Sequence, residues 1–532
     1  MDISGIPDSA SVGDGRGFAT PHVLITDTLS GNARWYADKV AVVCGNRRLT
    51  WREFNARANR VANALLEVGV AKGDKIAVLM PNGIETAEAM CGILKAGGVV
   101  VPLSTLLPGP GLVRQIADSN AKVLFVGAPL NENIAPHLAE LNGVIDQGFV
   151  SIGFHGDGFQ PYEALLAPVA DSEPGVQLSY GDDFNIMYSS GTTGVPKGVV
   201  HTHFARQQFA LGLALGCRVN FGTTGIITTP MYSNGTWIVW LPTIMAGGTV
   251  IIMPHFDPRA FLELVERERA TYTFMVPTQY LRTLAVPDFD DFDISSLEVV
   301  VSAGSPLMKE TKDQILRRFG CKLAELYGLT EGIATILQPE VVREKIGSVG
   351  VPWMGWDIRI IDNSGHELQR GQIGEIVGRS TFLMRGYHRR PDMTREVTWT
   401  DELGRSYLRT GDIGRLDDDG YLYLLDRKKD MIISGGQNVY PIDIESVLLA
   451  HSEVSEAAVI GIPHEKWGET PLALVVLRPE ATIQSDELRQ WVNAQLASYQ
   501  RVAALEFREM LPRNQLGKLL KRELREPYWT SK

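Results

Sequence analysis

Short apolar runs alternate with helix-length segments through about the first 300 residues, and this alternation limits the fold more than any other feature. The runs are rich in β-branched and aromatic residues, and most of them are apolar on both faces. Strands of this kind suit sheets that helices cover on both sides, because neither face then meets water. The pattern therefore predicts an α/β body. The predicted strands lie at residues 75–80, 99–103, 122–126, 185–187, 271–275 and 297–301.

The pattern of apolar runs along the chain changes after residue 350. At 532 residues the chain is too long for one hydrophobic core and should divide into a few domains. The apolar runs that come first contain glycine-bearing turns and suit a small β-rich subdomain. The segments past Lys429 suit an α+β module of about 100 residues. The predicted elements are strands at residues 357–361, 374–378, 457–460 and 472–476 and helices at residues 442–450 and 485–497.

Two segments bear on export and on membranes. Residues 1–20 are rich in Ser, Gly and Asp, without the basic region and apolar core of a secretory signal, which favours a flexible arm. Residues 236–253 carry no charge, but Pro242 and residues 246–249 (AGGT) interrupt them. A buried helix, a turn and a core strand are therefore expected there, and no transmembrane segment.

Charge and cysteine usage exclude several kinds of partner. The formal net charge of −11 argues against nucleic acid, because phosphate backbones bind clustered Lys and Arg. Cys44, Cys91, Cys217 and Cys321 are scattered without a C-x-x-C pair, so neither a disulfide framework nor a thiolate zinc site is indicated. Reduced, inert thiols in a cytoplasmic protein are the expectation.

Residues 188–198 (YSSGTTGVPKG) concentrate hydroxyls, glycines and one lysine where an apolar strand ends. Backbone N–H groups that no sheet uses can converge on an anion there, and the hydroxyls add donors. The segment is not the common P-loop, because Lys197 is followed by Gly198. A mobile surface turn is the plainer alternative. The predicted phosphate-binding residues are Ser189, Ser190, Gly191, Thr192, Thr193, Gly194 and Lys197.

Four further segments follow residues 188–198 in a recognisable order. They are residues 327–331 (YGLTE), 407–412 (YLRTGD), 426–430 (DRKKD) and 512–518 (PRNQLGK). Together the five segments resemble the signature of the adenylate-forming superfamily, which includes acyl-CoA synthetases, luciferases and the adenylation domains of peptide synthetases. The resemblance covers most of the chain, roughly from residue 25 to 525.

The resemblance implies a division of the fold and a two-step reaction. A large N-terminal domain, residues 21–428, would hold two helix-covered sheets and a small β-rich subdomain. A small, mobile α+β C-terminal domain, residues 429–532, would follow, with the active site in the cleft between the domains. The implied reaction activates a carboxylic acid with ATP as acyl-AMP, releases pyrophosphate and transfers the acyl group to coenzyme A. A small domain that rotates about a hinge can serve both steps.

The catalytic residues that the resemblance implies are Lys518, Thr330, Glu331 and Lys429. Lys518 would stabilise charge between the carboxylate and the α-phosphate, although alone it would suggest a solvated lysine on a tail helix. Thr330 would donate to the α-phosphate, and Lys429 would be the hinge. Glu331 and Thr192 would bind Mg²⁺, which favours one or two carboxylates with phosphate oxygens and water.

The nucleotide and coenzyme A would use residues from several of these segments. Tyr327 offers a flat face to adenine, although alone it would suggest core packing. Asp412 can accept both ribose hydroxyls and Arg427 can donate to the sugar or its phosphate, although Asp412 alone would indicate a turn. Glycines at the coenzyme A segment would permit close backbone approach, and a plain β-turn is the alternative there. The other implied residues are Gly304, Ser305, Pro306 and Gly328 for the nucleotide, and Gly435, Gly436 and Gln437 for coenzyme A.

The acid pocket is the least constrained part of the interpretation. Ser233 stands where many acyl-CoA synthetases carry the histidine of an aromatic-histidine pair, so a gating role does not carry over. Small and apolar residues suggest a medium-length acyl chain or an aromatic acid, and the lack of an acidic residue at 232–237 disfavours an amino acid. The implied pocket residues are Tyr232, Ser233, Asn234, Gly235, Trp237, Ala303, Gly304, Gly332, Ala334 and Leu337.

An acyl-CoA synthetase is the favoured function, because Lys518, Lys429 and the glycines 435–436 are all present. One alternative is a stand-alone adenylating enzyme that loads a carrier protein or oxidises the adenylate. Another is a nonenzymatic nucleotide-binding relative. The sequence leaves open the identity of the acid and the oligomeric state, a homodimer included.

Overall fold

Helices and strands alternate through most of the computed structural model, which confirms the predicted α/β class. Residues 1–20, the predicted flexible arm, lie outside the part of the chain that the structure describes. The described residues are 23–189, 197–353, 355–435, 437–513 and 519–529.

The chain divides into two compact units. The first holds the described residues up to Glu344, with those of Pro352–Trp356 and Arg379–Leu408. The second holds Lys345–Val351, Asp357–Gly378 and the described residues from Arg409 onward. The domain boundary expected between residues 428 and 429 falls inside the second unit and stays a prediction.

A mixed sheet, with nine strands in the described part of the chain, runs largely through the first unit. Its central strands are parallel and almost completely buried, as helix-covered strands are. In sheet order the strands are Val351–Pro352, Ile333–Leu337, Lys322–Leu329, Val299–Ala303, Tyr272–Met275, Thr224–Ile227, Thr249–Ile252, Val40–Cys44 and Arg47–Thr50.

A second sheet of the first unit carries the segment that precedes residue 190, and it has eight strands within the described residues. Leu79, Val101, Leu124 and Ile186 form part of its buried core. In sheet order its strands are Gly386–Tyr387, Lys197–Thr202, Asp183–Ser189, Val99–Pro102, Lys75–Leu79, Ala121–Gly127, Gly148–Ile152 and Phe159–Pro161.

The helices of the first unit follow from apolar periodicity and from caps in the sequence. Thr50 caps the helix Trp51–Glu67 by accepting from the Glu53 backbone N–H, and the Glu53 carboxylate accepts from the Thr50 N–H at 2.8 Å. The α-helices are Ile25–Trp35, Trp51–Glu67, Ile84–Lys95, Gly109–Ser119, Asn131–Ile134, Leu138–Leu141, Tyr162–Leu166, His203–Gly216, Trp237–Met245, Pro258–Glu268, Pro277–Leu284, Lys309–Arg318 and Pro391–Glu396.

The predicted β-rich region contains one five-stranded sheet, as far as the structure describes the chain. The strands expected at residues 357–361 and 374–378 are confirmed. The strands are Asp357–Ile361, Gly374–Arg379, Ser406–Leu416 and Thr398–Thr400 in sheet order, with Leu422–Arg427 also paired to Ser406–Leu416.

The C-terminal part of the second unit is an α+β module, as predicted. Its helix at Ser485–Asn493 ends four residues before the expected end at residue 497. The Asn493 side chain exchanges hydrogen bonds of 2.8 and 3.0 Å with the Val502 backbone, and this pairing stops the helix. The other elements are the strands Ile432–Ser434, Gln437–Val439, Val454–His464, Gly468–Leu477 and Ala504–Phe507 and the helices Pro441–Leu449 and Lys521–Trp529.

The uncharged segment 236–253 folds as expected, with the helix Trp237–Met245, a turn and the buried strand Thr249–Ile252. Among the helices of the described residues, none has the length and apolar character that a bilayer crossing needs. All four cysteines belong to the described residues and are free. Burial raises the pKa of Cys91 and Cys217 to about 12, which suits inert thiols.

A three-residue turn, residues 330–332, joins the antiparallel strands Lys322–Leu329 and Ile333–Leu337. Its last residue, Gly332, has a φ of +105°. A Cβ at Gly332 would lie 2.3 Å from the Phe382 carbonyl oxygen. Gly332 is predicted from the sequence as a small residue beside the acid pocket, and the space that a side chain would enter at this position holds backbone.

We expect Gly332→Ala to lower the stability of the protein by about 3 kcal/mol, because it combines a strained φ with a backbone clash. Gly320→Ala is the matched control, since Gly320 also has a positive φ, +64°, and no atom within 4 Å of its Cβ position. Urea unfolding of both variants measures the difference. An equal loss in the two would show that the Phe382 contact does not exclude a side chain.

Candidate active site

The strand Lys197–Thr202 begins the site, because it follows directly on the hydroxyl-rich segment. It pairs with the strand Asp183–Ser189, with Ser189 opposite Lys197. The segment between them therefore starts and ends at neighbouring points of one sheet edge, as an anion-binding loop requires. The predicted phosphate-binding residues Ser190, Gly191, Thr192, Thr193 and Gly194 lie outside the described residues.

Tyr188 anchors the end of the strand that leads into this segment. Its hydroxyl donates to Asp118 Oδ2 at 2.8 Å, and Arg390 Nη2 donates to Asp118 Oδ1 at 2.6 Å. Burial and the neighbouring Asp118 carboxylate raise the pKa of Tyr188, so the phenol stays protonated and donates. The chain thus enters the hydroxyl-rich segment from a fixed point.

The 330–332 turn is held by its backbone carbonyls. The Thr330 carbonyl accepts from His201 Nε2 at 2.8 Å. The Glu331 carbonyl accepts from the Met384 backbone N–H at 2.8 Å. Because these bonds hold the backbone, the side chains of Thr330 and Glu331 are left for other partners.

The third carbonyl of the turn has a partner as well. The Ser380 hydroxyl donates to the Gly332 carbonyl. A side chain at position 332 is excluded as well, because the end of the turn packs closely against the backbone at residues 382–383.

Tyr387 connects the turn to the strand that begins at Lys197. Its hydroxyl donates to Glu331 Oε1 at 2.8 Å, and Lys197 Nζ lies 5.7 Å from the centre of its ring. Burial and the Glu331 carboxylate raise the pKa of Tyr387, so its hydroxyl donates throughout the physiological range. The structure therefore brings together Lys197 and Glu331, which the sequence assigns to phosphates and to a metal ion.

The donor set at Glu331 suits Mg²⁺ better than a zinc ion. The part of the chain that the structure describes contains no group of three or more His, Cys, Asp or Glu residues that could hold a metal. A single carboxylate leaves the remaining positions to phosphate oxygens and water, which is the usual environment of Mg²⁺ in nucleotide sites. The second predicted metal ligand, Thr192, lies outside the described residues.

The residues predicted for the adenine and the rest of the nucleotide lie on one strand of the nine-stranded sheet and on a loop. Tyr327 is on the strand Lys322–Leu329 and is 8 % exposed. A Cβ at Gly328 would lie 2.7 Å from the Ile333 carbonyl oxygen, so the hairpin requires glycine there. Gly304, Ser305 and Pro306 form a partly exposed loop after the strand Val299–Ala303.

The predicted ribose residues lie in the second unit and are neighbours. Asp412 and Arg427 stand opposite each other on antiparallel strands, and Arg427 Nε is 3.4 Å from Asp412 Oδ1. Asp412 is therefore a strand residue, and the turn that its sequence alone would indicate is wrong. Lys428 points to another carboxylate, with its Nζ 3.0 Å from Glu375 Oε2.

The predicted hinge, Lys429, contacts the C-terminal helix Lys521–Trp529. Arg525 Nη1 donates to the Lys429 carbonyl at 3.1 Å, and Arg525 Nη2 lies 3.3 Å from Asp430 Oδ1. Burial raises the pKa of Asp426 to about 6, and among the described residues its Oδ2 atom has no hydrogen-bond partner. The segment 426–430 is thus tied to the helix that follows the predicted catalytic loop.

The predicted coenzyme A segment lies where two paired strands meet in the sequence. Ser434 on the strand Ile432–Ser434 pairs with Gln437 on the antiparallel strand Gln437–Val439. Gly435 has a φ of +58°, and a Cβ there would lie 2.8 Å from Cε3 of Trp467. Gln437 is exposed. Two predicted residues, Gly436 and Lys518, lie outside the described part of the chain.

The residues predicted for the acid pocket differ in burial. Trp237 is 1 % exposed, and it packs against Phe184 and Trp240 with ring centres 5.9 and 5.8 Å apart. Leu337 has no exposed surface, and Ala303 and Ala334 are buried. Tyr232, Asn234 and Gly235 are half-buried, and Ser233 caps the 3-10 helix Asn234–Thr236 by accepting from the Gly235 N–H.

Three residues of the site escape the sequence interpretation, namely Tyr387, His201 and Arg206. Tyr387 lies about 190 residues after Lys197 along the chain, and the pairing of Tyr387 with Val199 brings it close. His201 and Arg206 come shortly after the hydroxyl-rich segment, at buried positions of a strand and a helix. A polar residue at a core position is the signal that could have found them.

Comparison with known proteins gives the family. The family model described as AMP-binding enzyme matches residues 29–388, and the model described as AMP-binding enzyme C-terminal domain matches residues 443–518. The long-chain-fatty-acid–CoA ligase FadD13 of Mycobacterium tuberculosis (strain ATCC 25618 / H37Rv) is 38% identical over 90% of this chain and 93% of its own. Feruloyl-CoA synthase of Amycolatopsis sp is 35% identical over 93% of this chain and 97% of its own.

A solved structure agrees with these relatives. ATP-bound MatB from Rhodopseudomonas palustris superposes with a TM-score of 0.85 at 30% identity, covering 96% of this chain and 99% of that one. The predicted superfamily is confirmed, since the first family model alone spans more than half of the 532 residues. The chain therefore belongs to the AMP-binding enzyme family.

Proposed function

We propose that this enzyme joins a medium-chain fatty acid or an aromatic acid to coenzyme A. The chain is an ATP-dependent acid–thiol ligase: it converts a carboxylic acid and ATP into acyl-AMP and pyrophosphate, and it then exchanges AMP for the thiol of coenzyme A. The observation that carries the proposal is the convergence of Lys197 and Glu331 on Tyr387, next to the hydroxyl-rich segment. A cation and a carboxylate in this position suit a triphosphate and its metal ion.

The first half-reaction needs charge stabilisation at the α-phosphate. A carboxylate oxygen of the acid attacks the α-phosphorus in line, and pyrophosphate leaves. We assign Lys197 and the donors of residues 188–198 to the β- and γ-phosphates and Thr330 to the α-phosphate. Lys518, which falls within the matched C-terminal family model, is assigned to the charge that develops between acid and phosphate.

Glu331 and Thr192 are the residues that we assign to Mg²⁺. The ion neutralises phosphate charge when it is bound. Tyr387 supports this assignment, because its hydroxyl holds one oxygen of Glu331 and so restricts the rotation of the carboxylate.

The second half-reaction brings the thiol of coenzyme A to the acyl carbon. We assign Lys429 as the residue whose torsions change between the two steps, and the loop of Gly435, Gly436 and Gln437 as the contact of the pantetheine arm. Asp412 and Arg427 hold the ribose in this proposal. Their opposed position in one strand pair supports a shared ligand.

Apolar surroundings support the choice of acid. FadD13 is named for long-chain fatty acids and the Amycolatopsis relative for feruloyl-CoA, so relatives of this chain take both aliphatic and aromatic acids. The segment 232–237, made up of buried and half-buried residues, contains no carboxylate that could bind an α-ammonium group. Four free cysteines also suit a reducing compartment, and we propose that the enzyme is cytoplasmic.

Pyrophosphate release with a panel of carboxylic acids tests the proposal. Purified enzyme is incubated with ATP, Mg²⁺ and one acid at a time, first alone and then with coenzyme A or a carrier protein. Medium-chain fatty or aromatic acids should give the highest kcat/KM, and the thioester should form with coenzyme A. Thioester formation only on the carrier protein would favour a carrier-loading enzyme. No pyrophosphate with any acid would reject the ligase function.

We expect Lys518→Ala to leave ATP binding nearly intact and to slow acyl-AMP formation by a factor on the order of 10² or more, because a preorganised charge is lost. Thioester formation from supplied acyl-AMP should change much less, which provides the internal control. Single-turnover assays of each half-reaction measure both effects. An equal loss in the two steps would remove Lys518 from the assigned role.

We expect Tyr387→Phe to raise the Mg²⁺ concentration needed for half-maximal pyrophosphate release by about tenfold, since the support of Glu331 is lost. Tyr162→Phe is the matched control, because Tyr162 also donates to a glutamate, Glu88 Oε2, at 2.8 Å in the same unit. A Mg²⁺ titration of both variants and the wild type gives the comparison. If both variants shift the midpoint alike, the effect of Tyr387 is general and does not act through the metal.

We expect Lys429→Pro to separate the two half-reactions by about tenfold or more, because proline fixes φ at the residue that must rotate. Lys429→Ala keeps the backbone free and serves as the control. Rapid-quench measurement of pyrophosphate and of acyl-CoA decides the outcome. Both rates falling together in the proline variant, or neither falling, would place the conformational change elsewhere.

A further inference from the structure

A buried arginine lies beside the segment that leads from Lys197. Arg206, on the helix His203–Gly216, is 1 % exposed. Its Nε donates to Asn185 Oδ1 at 2.7 Å, its Nη1 to Asn234 Oδ1 at 2.8 Å, and its Nη2 lies 3.1 Å from His201 Nδ1. One guanidinium therefore joins a strand of the eight-stranded sheet, the residue 232–237 segment and His201.

The charge of Arg206 has amide and aromatic partners in place of an acid. Within the described residues, no carboxylate forms an ion pair with it, and the Trp237 ring centre lies 4.6 Å from its Cζ. Burial lowers the pKa of Arg206 to about 9. Burying a cation without a counter-charge costs folding free energy. Packing alone therefore does not account for an arginine at this position.

The contacts of His201 determine which of its ring nitrogens carries the proton. Nδ1 faces the donors Arg206 Nη2 and, at 3.4 Å, Asn185 Nδ2, so it must accept. Nε2 then carries the hydrogen and donates to the Thr330 carbonyl at 2.8 Å. The hydrogen bonds run in one direction, from Arg206 through His201 to the turn at residues 330–332.

We propose that His201 and Arg206 are positioning residues that fix the 330–332 turn and link it to the segment 232–237. The inference rests on the proposed function, in which Thr330 faces the α-phosphate and the segment 232–237 faces the acid. Asn234 and the Thr330 carbonyl are joined by three hydrogen bonds through only two side chains. The link gives the buried cation a structural role at this point.

The link has a consequence for both substrates. A shift of Asn234 changes the hydrogen bond to Arg206, and Arg206 and His201 pass that change to the backbone of Thr330. Acid binding and ATP binding are then coupled, and the coupling is reciprocal. Loss of either side chain should weaken this coupling while the other contacts of the turn, from Met384 and Ser380, remain.

His201→Leu and His201→Gln separate positioning from packing. Leucine fills a similar volume without a donor, whereas the glutamine amide can place an N–H near the Nε2 position. We expect His201→Leu to raise the KM for ATP and lower the rate of acyl-AMP formation about tenfold, because the Thr330 carbonyl loses its donor. Thioester formation from supplied acyl-AMP should stay within about twofold. His201→Gln should recover most of the adenylation rate.

Tyr280→Phe is the matched control, because the Tyr280 hydroxyl donates to the Val301 carbonyl at 2.8 Å in the same unit, also in a buried position. Both variants should lose a similar amount of thermal stability, but only His201→Leu should slow adenylation selectively. A proportional loss of both half-reactions in His201→Leu, as in a merely destabilised protein, would overturn the inference. Failure of glutamine to restore the rate in a folded variant would do so as well.

Arg206→Met supplies a second test in case His201→Leu does not fold. Methionine keeps an apolar side chain against Trp237 and removes the charge. The affinity for an ATP analogue with a methylene group between the α- and β-phosphorus atoms, which cannot release pyrophosphate, is measured by calorimetry with and without a saturating acid that the carboxylate panel identifies. The acid should change this affinity in the wild type, and in Arg206→Met this effect should shrink about tenfold. Equal coupling in both proteins overturns the inference. A wild type that releases no pyrophosphate with any acid points instead to failure of the proposed function.

Discussion

The pairing of the strand Lys197–Thr202 with both of its neighbours is the constraint on which the site depends. Side chains at alternate positions of a strand share a face, so Lys197 and His201 lie on the same side. The register that puts Val199 opposite Tyr387 brings the tyrosine beside Lys197. A slip of one residue would turn both side chains to the other face, and neither Lys197 nor the support of the 330–332 turn by His201 would be in place.

The turn at residues 330–332 is positioned by groups that belong to distant parts of the chain. Its carbonyls accept from His201, from the Met384 backbone and from Ser380. Since the backbone is held, the side chains of Thr330 and Glu331 do not have to pack in order to stay oriented. Preorganisation of this kind is what charge stabilisation in a phosphoryl-transfer site requires, because donors that are already in place need not reorganise during the reaction.

The charged groups inside the protein fall into two kinds. Lys312 and Glu325 are almost fully buried and form an ion pair, as buried charges usually do. Arg206 differs, because amide oxygens, a neutral imidazole and an indole ring surround it. In the second unit, Lys521 forms an ion pair of 2.8 Å with Glu445 near the hinge segment. Burial lowers the pKa of Lys521, but the carboxylates of Glu445 and Asp426 outweigh burial and raise it. That cluster holds the C-terminal helix on the segment 426–430.

The sequence by itself determined the fold class, the family and most of the strands, because apolar runs, glycine-rich turns and motif order are local properties. Its motifs also predict Lys197, Glu331, Asp412 and Arg427 as candidate site residues. The tertiary structure decided what lies next to them. Strand pairing over about 190 residues brings Tyr387 to Glu331, and the close approach of residues 382–383 makes glycine a backbone requirement at position 332. Such contacts depend on register and packing between distant segments, which no local pattern in the sequence records.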